Sequence, residues 1–337
     1  MSKNASDSSL GRLWRKAWAL SPALAVGTVV MVLGAVFTTL GLLIDSRQLL
    51  GEPLWLKPTK FYVSLAIYNV TVLYLLSFLS ERRRFVRVVG AILSACGVLE
   101  MVAITLQAAR GVRSHFNVAT PFDGFIFSSM GITITVLWVT MMVLGVALLR
   151  AKLSDRPLGS ALRMGLLVGV VGAGLGFFMT TPRPAQIENM KTGQQPMEAG
   201  SHTIGGQDGG PGLPVVGWST TAGDMRPAHF LGLHGMQVLP LLAVLLGRRR
   251  KHSEGLRLAL VRASGVVYLG LTLATALQAL RGQPIIHWDA IGAASLSLVV
   301  LASLATFAVS LARTRSQPAR GMEPMGPQST PSALTGG

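Results

Sequence analysis

Glu100 is the one ionisable residue deep inside a long apolar stretch of this 337-residue chain. It stands ten residues before Arg110. That is about 15 Å along a helix at 1.5 Å per residue, so it falls near mid-membrane if the helix crosses a bilayer. A carboxylate at such depth is protonated, paired or turned to water, and it marks a proton, cation or substrate site. Gln107, seven residues on, shares its helix face. The plain alternative is a neutral acid bonded to a neighbouring helix.

Four of the six histidines, His115, His229, His234 and His287, fall at those ends of the apolar stretches that this reading places on one side of a membrane. His252 lies in a basic run and His202 in a low-complexity loop, and both are set aside. His229 and His234 are separated by about 140° around a helix, so one of them faces inward. An inward imidazole here and His287 on a facing helix have the donors to ligate a b-type heme iron or a divalent metal. The competing reading is interfacial imidazoles bonded to backbone or headgroups.

A third set is repeated. Leu106-Gln107-Ala108-Ala109-Arg110-Gly111 returns as Leu277-Gln278-Ala279-Leu280-Arg281-Gly282. His115-Phe116-Asn117 and His287-Trp288-Asp289 follow the two copies. Arginine complements a helix C-terminus and glycine suits the left-handed cap after it. Gln107 and Gln278 are not needed for a cap and are available to a ligand. Arg110 and Arg281 have the fork geometry for a carboxylate or propionate. Walker loops, nucleophile elbows and the His-Glu-x-x-His pattern are absent from the sequence, and the single cysteine, Cys96, excludes cysteine-based zinc and iron–sulfur sites.

The elements that must position these residues follow from composition. Only 13% of residues are charged and 50% are hydrophobic, against about 25% charged in a soluble domain. Eight apolar stretches, at 22–44, 60–80, 88–109, 124–149, 162–181, 228–247, 263–280 and 290–312, are each long enough for a spanning helix. The segments alternating between them hold 21 of the 30 Lys and Arg on one side. This bias predicts that side, with both termini, to be cytoplasmic. It also accounts for the net charge of +16 by membrane topology, with the lipid bilayer as partner and no nucleic acid. Gly165-x-x-x-Gly169 and Gly172-x-x-x-Gly176 predict close helix packing.

The duplicated segments predict an all-α integral membrane protein of two parallel four-helix repeats. Residues 1–21 form a cytoplasmic N-terminus, 22–155 and 156–312 the two repeats, and 313–337 a disordered tail. The external segment 182–225 is long and rich in Gly and Pro. Such a loop is a functional lid or a disordered one, and composition favours disorder.

Arg110 to Asn117 and Pro227 to His234 resemble stretches of bacterial multi-pass proteins with no assigned activity, which implies a bacterial cytoplasmic membrane. The layout is also similar to heme A synthase, whose eight helices form two four-helix halves with heme-facing histidines on the second and fourth helix of each. The resemblance implies a single b-type heme in the second half, held by His234 or His229 and by His287. His115 alone answers it in the first half, where span two offers Lys60, and the family's Glu-x-x-His-Arg motif is missing. Three functions therefore stand as expectations: a heme or other cofactor protein, a small-solute or proton-coupled transporter using Glu100 at the repeat interface, and a non-catalytic sensory or assembly protein.

Overall fold

The computed structural model describes residues 9–192, 197–249 and 251–315. It contains eight helices long and apolar enough to cross a membrane. An amphipathic helix α1 (Ser9–Leu20) precedes α2 (Pro22–Ile44), and a two-residue hairpin, β1 (Gln48–Leu49) with β2 (Glu52–Pro53), leads to α3 (Leu56–Ser77). Then come α4 (Arg83–Ala109), α5 (Pro121–Arg150) and α6 (Arg156–Leu175), which continues into the single turn α7 (Phe177–Thr180). A long connection carries α8 (Pro184–Lys191), β3 (Thr203–Ile204) and β4 (Gly223–Asp224). It is followed by α9 (Arg226–Arg248), α10 (Glu254–Leu280) and α11 (Ala290–Arg315).

Several helices start earlier than the apolar stretches suggested, because their caps sit in polar residues. Thr120 accepts from the Asp123 amide, Asp155 from Leu158 and Ser253 from Leu256, satisfying donors that the first turn leaves open. Both copies of the Gln-x-x-Arg-Gly segment end in the same cap. Gly111 and Gly282 take φ of +73° and +72°. Val112 and Gln283 donate to the carbonyls of Gln107 and Gln278, and Gly111 and Gly282 to those of Ala108 and Ala279. This is the paired-bond left-handed termination that glycine favours.

Packing in the two halves follows one scheme. In the first, α2 meets α3 and α4, α3 meets α4, and α4 meets α5; in the second, α6 meets α9 and α10, α9 meets α10, and α10 meets α11. The halves join through α5 and α6 and through a shared core of Leu24, Val72, Leu93, Leu144, Leu166 and Met236. Gly172 and Gly232 bring α6 and α9 so close that a Cβ on Gly172 would lie 2.5 Å from the Gly232 Cα. The small-residue spacing in α6 thus does what it signalled.

The connection after α7 departs from the expectation of disorder. Residues 197–199 pair with 116–118, through Val118 donating to Met197 and Ala199 to Phe116, while Ser201 donates to the Met179 carbonyl. β3 and β4 form an antiparallel pair against the end of α10. Segment 193–196 and the tail from residue 316, which covers most of the expected disordered end, lie outside the described residues.

Candidate functional site

The best-developed polar centre lies in the first half, where α3, α4 and the α4–α5 connection meet the long connection. Its deepest member is Glu100 of α4, 4% exposed. One oxygen, Oε1, lies 3.7 Å from His115 Nε2. The other, Oε2, is buried without a hydrogen-bond partner. Buried polar atoms are bonded in the great majority of cases, so an unpartnered carboxylate oxygen marks a place that a proton, cation or polar group would fill.

His115 Nδ1 lies 3.1 Å from Lys57 Nζ and 3.0 Å from Ser114 Oγ. An ammonium has only donors, so Nδ1 accepts from it. Burial, with Lys57 beside it, also pulls His115 well below its ordinary pKa. With Lys57 as the ammonium, the neutral imidazole carries its proton on Nε2 and presents that N–H towards Glu100. Lys57 stands in the first turn of α3, 5.9 Å from the centre of the Phe61 ring. The row Lys57–His115–Glu100 runs from the first turn of α3 through the imidazole to a carboxylate buried within α4.

The long connection closes over this row. Asp208 accepts from Ser201 Oγ at 2.6 Å, Thr203 N at 3.0 Å, His202 N at 3.2 Å and Arg113 Nη2 at 2.9 Å, and also from Thr203 Oγ1. His202 Nδ1 is 3.0 Å from the same carboxylate. Burial would raise the Asp208 pKa, but His202 and the hydroxyls hold it far below the usual carboxylate range. Burial lowers His202 to about 4 in spite of Asp208. Its ring stands edge-on to Phe116, centroids 4.9 Å apart. Phe116 is 1% exposed and holds a left-handed φ of +66°. Such a conformation is costly for an aromatic residue and persists only where packing dictates it. It turns Phe116 under the connection, with His115 next to it and facing Glu100. Arg113 also pairs with Glu198, fastening a second point of the connection.

The remaining sequence candidates divide. Gln107 and Arg110 are brought together, but around an acid the sequence had not singled out: both donate to Asp123 Oδ1, at 2.9 and 2.6 Å. In the second half Arg281 pairs with Asp289, and Gln278 donates to the carbonyls of Pro284 and His287. These four residues therefore lock helix ends and the following turns. The His-aromatic-polar triplets do not match in role. Asp289 does the work of Asp123 rather than of Asn117, and His115 points into the polar centre while His287 is exposed.

The second-half histidines do not gather. His229 Nδ1 donates to the Gly172 carbonyl at 2.7 Å, tying α9 to α6. His234 is exposed, like His287. Among the described residues, no group of three His, Cys, Asp or Glu side chains is placed to hold a metal ion. Glu100 itself lies on α4, which packs on α1, α2, α3 and α5, in a centre that the long connection of the second half covers. Lys57, Arg113, His202 and Asp208 were missed. Lys57 reads in sequence as an ordinary interfacial cation, and His202 and Asp208 stand in a segment whose composition hides its turns.

No family model matches the chain, and no curated protein or solved structure does either.

Proposed function

We propose that the chain is a multi-pass membrane protein that moves a small solute in step with a proton, with Glu100 as the proton-accepting group and His115 and Lys57 as its relay to the loop-covered face. The observation that carries this reading is the Glu100 Oε2 atom, buried and unpartnered beside a neutral imidazole whose other nitrogen accepts from a lysine. An acid inside a span is retained at a cost of several kcal/mol, and proton relays of carboxylate and histidine are the common reason. The reading of two parallel four-helix repeats rests on the shared packing scheme and the matched glycine caps. A cytoplasmic origin for both termini rests on the basic-residue bias alone.

The test is proton movement in sealed vesicles containing the full chain, read by a trapped pH dye after a potential is imposed with each of a panel of small amino acids, sugars and carboxylates supplied outside. The native protein acidifies the lumen. Glu100→Gln abolishes this, and its infrared difference spectrum loses the protonated-carboxyl band that the native protein shows on pH titration. His234→Ala leaves both intact. A Glu100→Gln protein with native flux and an unchanged spectrum, or a native protein that moves no protons, overturns the reading.

A further inference from the structure

Under the cover, one cation and one acid are left out of the ion pairs. Arg113 is held by Glu198 and Asp208, Arg226 by Asp224 and Lys60 by Glu52. Lys57 and Glu100 stand apart. The Lys57 ammonium meets the His115 imidazole at 3.1 Å and the Phe61 ring at 5.9 Å, and among the described residues it forms no ion pair. Glu100 Oε1 faces the other nitrogen of the same imidazole at 3.7 Å, and Oε2 has no partner. An ammonium carries three donors, and His115 takes one of them.

Carbon flanks the cation as well. Phe61, one turn on from Lys57, sets its ring 5.8 Å from that of His115 and packs on the apolar cluster of Tyr62, Met101, Ile104 and Met130. A group on Lys57 Nζ therefore has an aromatic wall beside it.

Charge balance then selects what can share this centre with a proton. Without a solute, Lys57 and an ionised Glu100 cancel. A monoanion that enters as Glu100 takes up one proton keeps the sum at zero. A sugar or a zwitterionic amino acid entering with that proton leaves the lysine charge uncompensated, and a dianion leaves a negative one. Uncompensated charge in a buried centre is costly. The Phe61 wall suits an anion that carries a carbon chain.

We propose that Lys57 anchors a small monocarboxylate, its carboxylate on Nζ and its carbon chain along Phe61, while the proton that accompanies it sits on Glu100. For the proton, the proposal rests on the reading of Glu100 given above. Anion and proton pass together, so no net charge crosses.

Pyruvate is the probe, because it is almost wholly ionised and crosses bare lipid slowly. Labelled pyruvate is bound to the full chain in detergent by equilibrium dialysis, then offered to sealed vesicles with no imposed potential. The native chain binds it, lactate and acetate displace it, and glycine, glucose, succinate and phosphate do not. Lys57→Gln loses binding, and Lys57→Arg keeps it in part. In vesicles each pyruvate brings one proton inwards, and shifting the membrane potential leaves the rate unchanged. Pyruvate that does not bind, that phosphate or glucose displaces as well as lactate does, or that still binds to Lys57→Gln overturns the proposal. Protons that move with a sugar or an amino acid instead overturn it and leave the proton-coupled reading in place. Binding that needs Lys57 without any proton movement supports the site and overturns that reading.

Discussion

Asp208→Asn is the sharpest perturbation of the cover over the Glu100 row. The native carboxylate serves Ser201 and Thr203 through Oδ1, and His202 and Arg113 through Oδ2. An asparagine oriented to keep its oxygen at the Oδ1 position places an NH2 group against the His202 amide and the Arg113 guanidinium, all of them donors. Reversing the amide exchanges one loss for the other. The change removes one charge-assisted bond, about 1.5–3 kcal/mol, and at least one neutral bond, about 0.5–1.5 kcal/mol. Arg113 and His202 are 14% and 21% exposed at the side chain, so solvent screens only part of this. The local stability of the cover should fall by about 2–4 kcal/mol. At about 1.4 kcal/mol per decade, amide exchange at His202, Thr203 and Ala199 accelerates by roughly one and a half to three decades. Mass-spectrometric hydrogen exchange on the detergent-solubilised chain reads this directly, and the α6–α9 contact serves as an internal reference that does not change. Native exchange rates across 197–208 in Asp208→Asn would refute the view that this carboxylate organises the segment.

Two further outcomes follow from the same contacts. Gly172→Ala places a methyl 2.5 Å from the Gly232 Cα and 2.7 Å from the Leu233 amide. Backbone must shift, so thermal unfolding in detergent should show a loss of about 1–3 kcal/mol, whereas Gly131→Ala, with nothing within 4 Å, is neutral or stabilising. Acidification loosens the cover. His202 drops from 6.5 to about 4 on folding, so its contribution is complete above the unfolded value, falls as pH drops from 6.5 towards 4, and amounts to at most about 3 kcal/mol. His115, Asp208 and Lys57 face the same pocket, and the lowered His115 and Asp208 values act in the same direction. Protection factors across 197–208, taken against the intrinsic exchange rate at each pH, should therefore fall between pH 7 and pH 5, and His202→Gln should flatten that dependence.

The spans were legible because a run of apolar residues near 20 long has few other uses. Their starts were not, since Thr120, Asp155 and Ser253 are polar and belong to the helices they cap. Glu100 was legible because a lone acid in hydrocarbon needs a reason. Its partner was visible as a histidine but not as a neighbour, because the turn that delivers His115 depends on a left-handed Phe116 that no propensity favours. The inward side of α9 could have been found. Gly232 and Gly235 answer the glycine spacing in α6, His229 lies one turn before Gly232 on that side, and His234 does not. The connection misled because glycine and proline count towards disorder in composition. What orders this one is two aspartates, Asp208 collecting amides, hydroxyls and an arginine, and Asp224 the Ser219 and Arg226 amides and the Arg226 guanidinium.

The two halves share a way of ending their helices but not an interior. Each uses a glycine cap and an arginine–aspartate pair to set the turn after its third span. Between those turns and the opposite membrane face the interiors differ. In the second half α6 and α9 meet glycine to glycine, with backbone too close to admit a side chain, and the position answering Glu100 is Leu271. In the first half α3 and α4 bury the Tyr68 hydroxyl and the Asn69 amide nitrogen as well as Glu100 Oε2, all three without partners. Polar atoms left open inside two adjacent helices are expensive; the adjoining half leaves Arg257 Nε, Gln278 Oε1 and His252 Nδ1 open, but near the two ends of α10 and in the turn before it. On the repeat reading, the two halves have diverged in their interiors, the first keeping an open carboxylate oxygen within α4 where the second packs α6 on α9 glycine to glycine.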